Sequence, residues 1–197
     1  NGETYDSSGT YYYNGISNNY SMSFDWNNII SVNDANYWNF ANTDFTISTW
    51  VKIDSIPLHP NGNPDHIPLL SQNEDFNKKW VFYLLNNELY FGTKNFNWSE
   101  VSVPFVPQIN TWYNIVCVQV NGVCSFYANG ILLGVGQNNL HLFDLNADLH
   151  FGEYYEGSYY QYLYGYMDDV QIWHQALTQQ EIQNYMNCPP TGSEAGL

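Results

Sequence analysis

The residues of this sequence best suited to chemistry are tyrosines that lie beside carboxylates. They are concentrated in the segment from Gly152 to Trp173, GEYYEGSYYQYLYGYMDDVQIW, which contains neither lysine nor arginine. An aromatic ring can stack on the C–H face of a sugar while nearby polar groups fix its hydroxyls. Because glycines interrupt its first half, we expect an exposed loop there that binds a sugar. Its candidate ligand-binding residues are Tyr154, Tyr155, Tyr159 and Tyr160.

The alternative for these rings is ordinary sheet packing, because tyrosine is favoured on a half-buried pleated surface. We expect packing for the tyrosines that follow, Tyr162, Tyr164 and Tyr166, which lead into an alternating apolar run.

Two other segments carry side chains that could complete the same site. The sequence TKNFNWSE, residues 93–100, is typical of an aromatic loop, and we expect Trp98 to be exposed there. The segment from Ser55 to Lys79 is long, irregular and rich in proline. Loops of this length are uncommon in compact domains unless they bind something. We therefore add Trp98, Asp65 and Asp75 to the candidate ligand-binding residues.

The sequence does not favour catalysis. Glycoside hydrolysis with retention of configuration requires two carboxyl groups about 5 Å apart across the sugar bond. Glu153 and Glu156 come nearest to such a pair, but they lie in a glycine-bearing segment without rigid support. The histidines show no metal-binding spacing, so we predict no catalytic residues.

The charge of the chain restricts its partners. Four lysines and no arginine oppose 19 acidic residues, which gives a net charge of -15. Nucleic acids and anionic membrane surfaces are held by clusters of lysine and arginine, so we exclude both as partners. No apolar run reaches the ~18 residues of a membrane span. The same charge disfavours an acidic glycan, and we expect a neutral or amino sugar.

Short apolar segments separated by turn signals indicate an antiparallel sandwich or barrel. The Asn-Gly pairs at 121–122 and 129–130 predict two tight turns and a three-stranded meander. The first turn places Val120 opposite Val123 and Gln119 opposite Cys124. Two tryptophans, Trp50 and Trp112, fall in strand patterns and are expected in the core.

The hairpin register also bears on the cysteines. It makes Cys117 and Cys124 diagonal neighbours, with backbones about 7–8 Å apart, which is too far for easy bridging. We expect these two thiols and that of Cys188 to be free.

One helix is predicted near the C-terminus. In LTQQEIQNYM, Thr178 is followed three residues later by Glu181, which is the pattern of a capping box. The helix should run from about Thr178 to Met186 and pack on one end of the sandwich.

The order of four motifs resembles the laminin-G-like domains of bacterial surface proteins, which are concanavalin-A-like jelly rolls. The motifs are DSSG at Asp6 to Gly9, SFDWNNIISV, FTISTWVKI from Phe45 to Ile53, and the closing half TWYNIVCVQVNGVCSFYANGILLG with LHFGE and YGYMDDVQIWHQALTQQEI. The resemblance covers most of the chain. It implies an all-β, two-sheet antiparallel jelly-roll sandwich over residues 1–188, with one short C-terminal helix and a linker over 189–197.

The resemblance further implies a structural calcium ion. In this fold, the aspartate that opens the last long strand often binds calcium, and Asp168 matches that position. Calcium takes 6–8 oxygen ligands, so we expect Asp25 and the backbone near Asn28 to complete the site. The motif SFDWNNIISV departs from the family pattern, because Trp26 stands where the family has glycine.

Three functions are compatible with these features. The first is a non-catalytic, calcium-stabilised carbohydrate-binding module of a secreted or cell-surface protein, one unit of a longer and possibly tandem chain. The second is an adhesive or structural spacer that binds protein or no ligand. The third is a glycoside hydrolase, which is disfavoured because the sequence has no suitable carboxylate pair.

Overall fold

The computed structural model describes residues 21–25, 28–33, 40, 43–59, 61–137, 144–157, 159–188, 190 and 193–197. Within these residues the chain forms two six-stranded antiparallel sheets, a two-stranded hairpin and one short helix. The predicted all-β sandwich is therefore confirmed, while the DSSG motif lies outside the described residues. No helix in the described part of the chain is long and apolar enough to cross a bilayer.

The elements follow one another in a simple order. They are β1 (Met22–Phe24), β2 (Ile30–Val32), β3 (Phe45–Ile53), β4 (Ile67–Asn73), β5 (Lys78–Leu85), β6 (Glu88–Asn95), β7 (Asn97–Pro104), β8 (Trp112–Val120), β9 (Val123–Ala128), β10 (Ile131–Gln137), β11 (Leu149–Phe151), β12 (Glu153–Tyr155), β13 (Tyr160–Tyr162), β14 (Gly165–Trp173) and α1 (Gln179–Asn187). The first sheet has the order β1-β14-β3-β8-β9-β10, and the second has the order β2-β11-β4-β5-β6-β7.

The turn signals set the register of the meander β8-β9-β10 as predicted. Gln119 pairs with Cys124 and Val120 pairs with Val123. Asn121 and Asn129 adopt left-handed backbone conformations, with φ of 48° and 51°, as tight hairpin turns require. Cys117 and Cys124 are buried free thiols, and burial raises the pKa of Cys117.

The core lies between the two sheets and is largely aromatic. Phe45 of the first sheet meets Phe91 of the second at a centroid distance of 5.3 Å, and Phe82 meets Phe126 at 6.5 Å. These side chains are fully buried. Since burial of a large apolar side chain contributes about 1.5–3 kcal/mol, the inner faces hold the sandwich together.

The helix forms as predicted but packs elsewhere than predicted. Thr178 is its N-cap, and both hydrogen bonds of the capping box with Glu181 are present. Ile182 packs with Val116 and Val118, whose side chains alternate with core residues along β8. The helix therefore covers the outer face of the first sheet, and the prediction that it sits on one end of the sandwich is wrong.

Two tryptophans assigned to the core also lie on outer faces. Trp50 is half-buried, and its Nε1–H donates to the carbonyl of Met186 beyond the sheet. Trp112 is 36% exposed. The prediction for both was wrong because a strand pattern alone does not show which face a residue occupies.

The close approach of β14 to β3 can be tested at Gly165. A Cβ atom at this position would lie 1.9 Å from the carbonyl oxygen of Lys52. We expect Gly165→Ala to lower the free energy of unfolding by more than about 3 kcal/mol, because the backbone of β3 cannot yield. Urea denaturation measures the change.

Gly62→Ala is the matched control for this substitution. Gly62 also has a positive φ, +86°, but a Cβ atom added to it would meet nothing within 4 Å. Its substitution should lower the free energy of unfolding by only roughly 1–2 kcal/mol, the cost of a left-handed backbone conformation for alanine. Equal losses in the two variants would show that the strand contact at Gly165 does not matter.

Candidate functional site

A cleft of about 400 Å³ opens on the outer face of the second sheet. Strands β5, β6 and β7 form its floor, and the hairpin β12–β13 forms one side. Along β5, Phe82 and Leu84 point into the core, whereas Val81 and Tyr83 pack with Tyr154 of the hairpin. Successive side chains of β5 therefore alternate between the core and the floor of the cleft.

The register of β5, β6 and β7 orders the side chains of the floor. Three cross-strand rows succeed one another, Lys79–Lys94–Trp98, Val81–Gly92–Glu100 and Tyr83–Tyr90–Ser102. One end of the cleft is therefore cationic and the other is aromatic, with Gly92 between them.

Trp98 lies across the middle of the floor because Gly92 has no side chain. A Cβ atom on Gly92 would be 2.6 Å from Cζ2 of Trp98. The indole is 37% exposed, as predicted, and its Nε1–H donates to Glu100. Its segment is a strand rather than the predicted loop, because the chain turns at Phe96 and pairs back on β6.

Two stacked tyrosines form the other end of the floor. The rings of Tyr83 and Tyr90 are 4.8 Å apart and inclined by 12°. The hydroxyl of Tyr83 donates to Oε2 of Glu100 at 2.8 Å. Burial raises the pKa of Tyr83, and burial with a hydrogen bond to Glu88 raises the pKa of Tyr90 to about 12. Both hydroxyls are therefore neutral donors at physiological pH.

The tyrosine-rich segment forms a hairpin rather than the predicted exposed loop. Tyr154 pairs with Gln161 and Tyr155 pairs with Tyr160. Alternation along the strands turns Tyr154 towards β5, where it is only 4% exposed and packs on Val81. The prediction of an exposed Tyr154 is therefore wrong, although the residue does line the cleft.

Tyr155 and Tyr160 lie on the opposite face of the hairpin from Tyr154. Their rings are 4.8 Å apart, and Tyr160 is 52% exposed. Neither residue lines the cleft. The structure therefore does not bring the four predicted tyrosines into one surface.

A polar cluster joins the hairpin to the segment before β4. The Nε2 atom of Gln161, a buried residue, lies 2.7 Å from both Oδ1 of Asp65 and Nδ1 of His66, and 3.2 Å from Oε2 of Glu156. It is also 3.3 Å from the hydroxyl of Tyr159. Since an amide carries two hydrogens, it cannot donate to all four groups at once.

This cluster contains two of the predicted ligand-binding residues, Asp65 and Tyr159. Its other members are Gln161, His66 and Glu156, which the sequence did not identify as ligand-binding residues. Gln161 was overlooked because it sits between tyrosines, and its signal was the alternation that places it beside Tyr154. Asp75 lies outside the cleft lining, because its Oδ1 accepts from the backbone N–H groups of Asn77 and Lys78 and closes the β4–β5 turn.

The predicted calcium ligands lie apart from one another. β1 pairs with β14 through Met22 with Met167 and Phe24 with Gly165. Asp168 and Asp25 therefore flank opposite ends of this ladder, about 13 Å apart at ~3.3 Å per residue. The carbonyl of Asp168 accepts from the hydroxyl of Thr49 at 3.1 Å. Asp25 and the neighbouring Asn28 do not complete a site around Asp168.

Asp168 and Asp169 nevertheless form a half-buried acidic pair. Burial raises the pKa of both carboxyl groups, and the charge of Asp169 adds to the effect at Asp168. Among the described residues, no cluster of three or more histidines, cysteines or acids could hold a metal ion.

The sequence comparison decides the family. Residues 24–183 match the laminin G family model of the concanavalin A-like lectin/glucanases superfamily. The chain belongs to this family. No curated protein matches the chain.

Solved structures share the jelly roll at low sequence identity. Domain 4 of the extracellular GH43 arabinanase AbnA from Geobacillus stearothermophilus, in complex with arabinotriose, has a TM-score of 0.61 and 18% identity over 79% of this chain and 71% of its own. The CBM40 domain of the Ruminococcus gnavus IT-sialidase, bound to α2,3-sialyllactose, has a TM-score of 0.58 and 14% identity over 74% and 83%.

The binding domain of botulinum neurotoxin serotype G is a third similar structure. Its TM-score is 0.61, with 16% identity over 83% of this chain and 41% of the toxin chain. At such identities these likenesses establish the fold, and the site must be argued from the residues of this chain.

Calcium binding remains a proposal, and substitution of Asp168 tests it. If the ion binds only the folded state, it stabilises that state by mass action. We expect the melting temperature to fall by several degrees on addition of a chelator in the parent and to stay constant in Asp168→Asn. Differential scanning calorimetry with calcium or chelator measures both. An identical response in the two proteins would remove Asp168 from any calcium site.

Proposed function

We propose that the chain is a non-catalytic carbohydrate-binding module and that the cleft on the second sheet is its binding site. The observation that carries this proposal is the half-exposed indole of Trp98, which lies beside the Glu100 carboxylate on the cleft floor. An apolar ring next to a fixed acceptor matches a sugar, which has C–H faces and hydroxyl edges.

The floor is preorganised for such a ligand. Glu100 is held by the donors of Tyr83 and Trp98, and the strand register fixes all three residues. Side chains positioned by strands lose little freedom when a ligand binds. One stacked ring is worth about 1 kcal/mol, so a single module should bind weakly.

Weak single sites suit a repeated arrangement. Linking several modules turns each further contact into an intramolecular event and can raise avidity by 10² or more. We therefore keep the proposals of a secreted or cell-surface location and of a longer, possibly tandem parent chain. The proposal is supported by two similar jelly-roll domains, the arabinanase domain in complex with arabinotriose and the sialidase domain bound to sialyllactose.

The carboxylates of the hairpin support the absence of catalysis. Glu153 is buried and contacts Nδ1 of His150 at 2.9 Å. Glu156 instead faces the polar cluster around Gln161. Glu153 and Glu156 therefore lie in two separate environments. Hydrolysis requires two carboxylates that flank one sugar bond.

A spacer that binds protein is the second candidate function. The edge strand β10 exposes 66% of Ile131, 45% of Leu132 and 56% of Val135. Among the described strands, β10 has a partner on one side only, and an apolar edge strand is a surface on which another chain can add a strand. Failure of every glycan to bind would favour this function.

The sugar class expected from the sequence, neutral or amino, rests on the net charge of -15 alone. It stays a prediction, and the lysines that line the cleft lead to a different sugar class, which is argued in the next subsection.

Trp98 provides the test of the proposed function. We expect Trp98→Ala to weaken glycan binding at least about fivefold, because the loss of one stacked ring costs roughly 1 kcal/mol or more. Isothermal titration calorimetry with the glycans found on an array measures the change.

Trp112→Ala is the matched control. Trp112 is exposed to almost the same extent as Trp98, 36% against 37%, but it belongs to the first sheet. Its substitution should leave the affinity unchanged. If both variants bind as the parent does, the cleft is not the glycan site.

A further inference from the structure

Two of the four lysines stand side by side at one end of the cleft. Lys79 of β5 and Lys94 of β6 are direct cross-strand partners, and both line the cleft. Like charges that face each other across two strands are destabilising. In a chain with a net charge of -15, such a pair is the opposite of what the overall composition leads one to expect.

Among the described residues, the pair has no counter-charge at contact distance. Within the described part of the chain, the other two lysines form ion pairs, Lys52 with Asp54 and Lys78 with Glu74. No described carboxylate oxygen lies within ion-pair distance of Lys79 or Lys94.

Aromatic rings and one carbonyl surround the two ammonium groups instead. The Nζ atom of Lys94 lies 3.4 Å from the centroid of the Phe76 ring. The Nζ atom of Lys79 donates to the carbonyl of Tyr155 at 2.8 Å and lies 5.5 Å from the ring of Tyr154. Lys79 is only 1% exposed, whereas Lys94 is partly exposed. An ammonium group has three donors, so Lys94 retains hydrogens for a ligand and Lys79 adds its charge from behind.

The acids of the cleft are, by contrast, already engaged by neutral donors. Glu100 accepts from Tyr83 and Trp98, and Glu156 accepts from Tyr159. A carboxylate that already accepts such bonds has less capacity for a cationic sugar. Each carboxylate offers about four acceptor sites and can still accept from sugar hydroxyls, while the ammonium group of Lys94 remains a donor for an acidic group.

We propose that the cleft selects a sugar that carries one acidic group, such as a uronic or sialic acid, with its carboxylate on Lys94, beside the buried Lys79, and its ring on Trp98. This inference rests on the proposed function and names the ligand class of the same site. A single carboxylate would offset the repulsion between the two lysines, and the aromatic surroundings strengthen charge-assisted hydrogen bonds by excluding water.

The net charge and the local charges act at different distances, so they do not conflict. Repulsion from distant surface acids is largely screened beyond about 8 Å at physiological salt. It disfavours a polyanion, which would extend over the acidic surface, more than a glycan with one acidic terminus.

Binding of the acid should depend on pH. Burial and the neighbouring charge of Lys94 lower the pKa of Lys79 to about 8, while Glu156 and Asp75 act in the opposite direction. A bound carboxylate favours the protonated amine, so affinity should be full below pH 7 and fall as the pH rises through 8. A neutral sugar would show no such loss.

The test compares each acidic glycan with its methyl ester, which removes the charge and keeps the ring. The probes are glucuronic-acid- and sialic-acid-terminated oligosaccharides and their esters, titrated calorimetrically into the parent, Lys94→Met and Lys52→Met. We expect the parent to prefer the acid by about tenfold or more, the typical effect of one charge-assisted hydrogen bond. Lys94→Met should bind acid and ester alike.

Lys52→Met is the control because Lys52 also lies over a ring, that of Tyr166 at 4.1 Å, but on the first sheet. It should keep the preference of the parent. A thermal melt of Lys94→Met checks folding and should show unchanged or higher stability, since a like-charge contact is removed. The pH series on the unmodified protein tests the inference even if that variant fails to fold.

The outcomes separate the two proposals. Equal or tighter binding of the esters would overturn the acidic-sugar inference and leave the proposed function intact. An acid preference that survives in Lys94→Met and does not change with pH would place the carboxylate elsewhere and also overturn it. Absence of binding to every acid, ester and neutral glycan would overturn the proposed function itself.

Discussion

The packing of two sheets face to face is the constraint on which the rest of this structure depends. Each sheet can bury only one face against the other, and the aromatic side chains between them hold the sandwich together. Apolar residues on the outer faces therefore need separate cover. The helix α1 covers Val116 and Val118 on the first sheet, and the hairpin β12–β13 covers Val81 and Tyr83 on the second.

The two covers have different consequences for function. The helix closes its surface, because its Ile182 packs in one buried cluster with Trp173 of β14. The hairpin lies over β4 and β5 but leaves β6 and β7 open, so Trp98 and Tyr90 remain at the surface of a cleft. A binding surface thus arises where the outer face of a sheet is only partly covered.

Local signals predicted local structure well. The Asn121–Gly122 pair fixed a hairpin register, and Thr178 with Glu181 fixed the start of a helix, because both depend on neighbouring residues. Sequence alone did not show that Tyr154 turns inward or that Lys79 faces Lys94. These features depend on which strands pair and in what register, which non-local packing decides. Net charge averages over positions that the fold separates, so it does not show that two lysines share one end of a cleft.

The central claim is that the outer face of β5–β7 binds the sugar, and chemical-shift mapping of the ¹⁵N-labelled chain tests it most directly. On titration with a glycan that binds, the indole Nε1–H resonance of Trp98 should shift, with the amides of β6, β7 and the hairpin. The indole resonance of Trp112, on the first sheet, should not. Shifts confined to the first sheet or to the edge strand β10 would contradict the account.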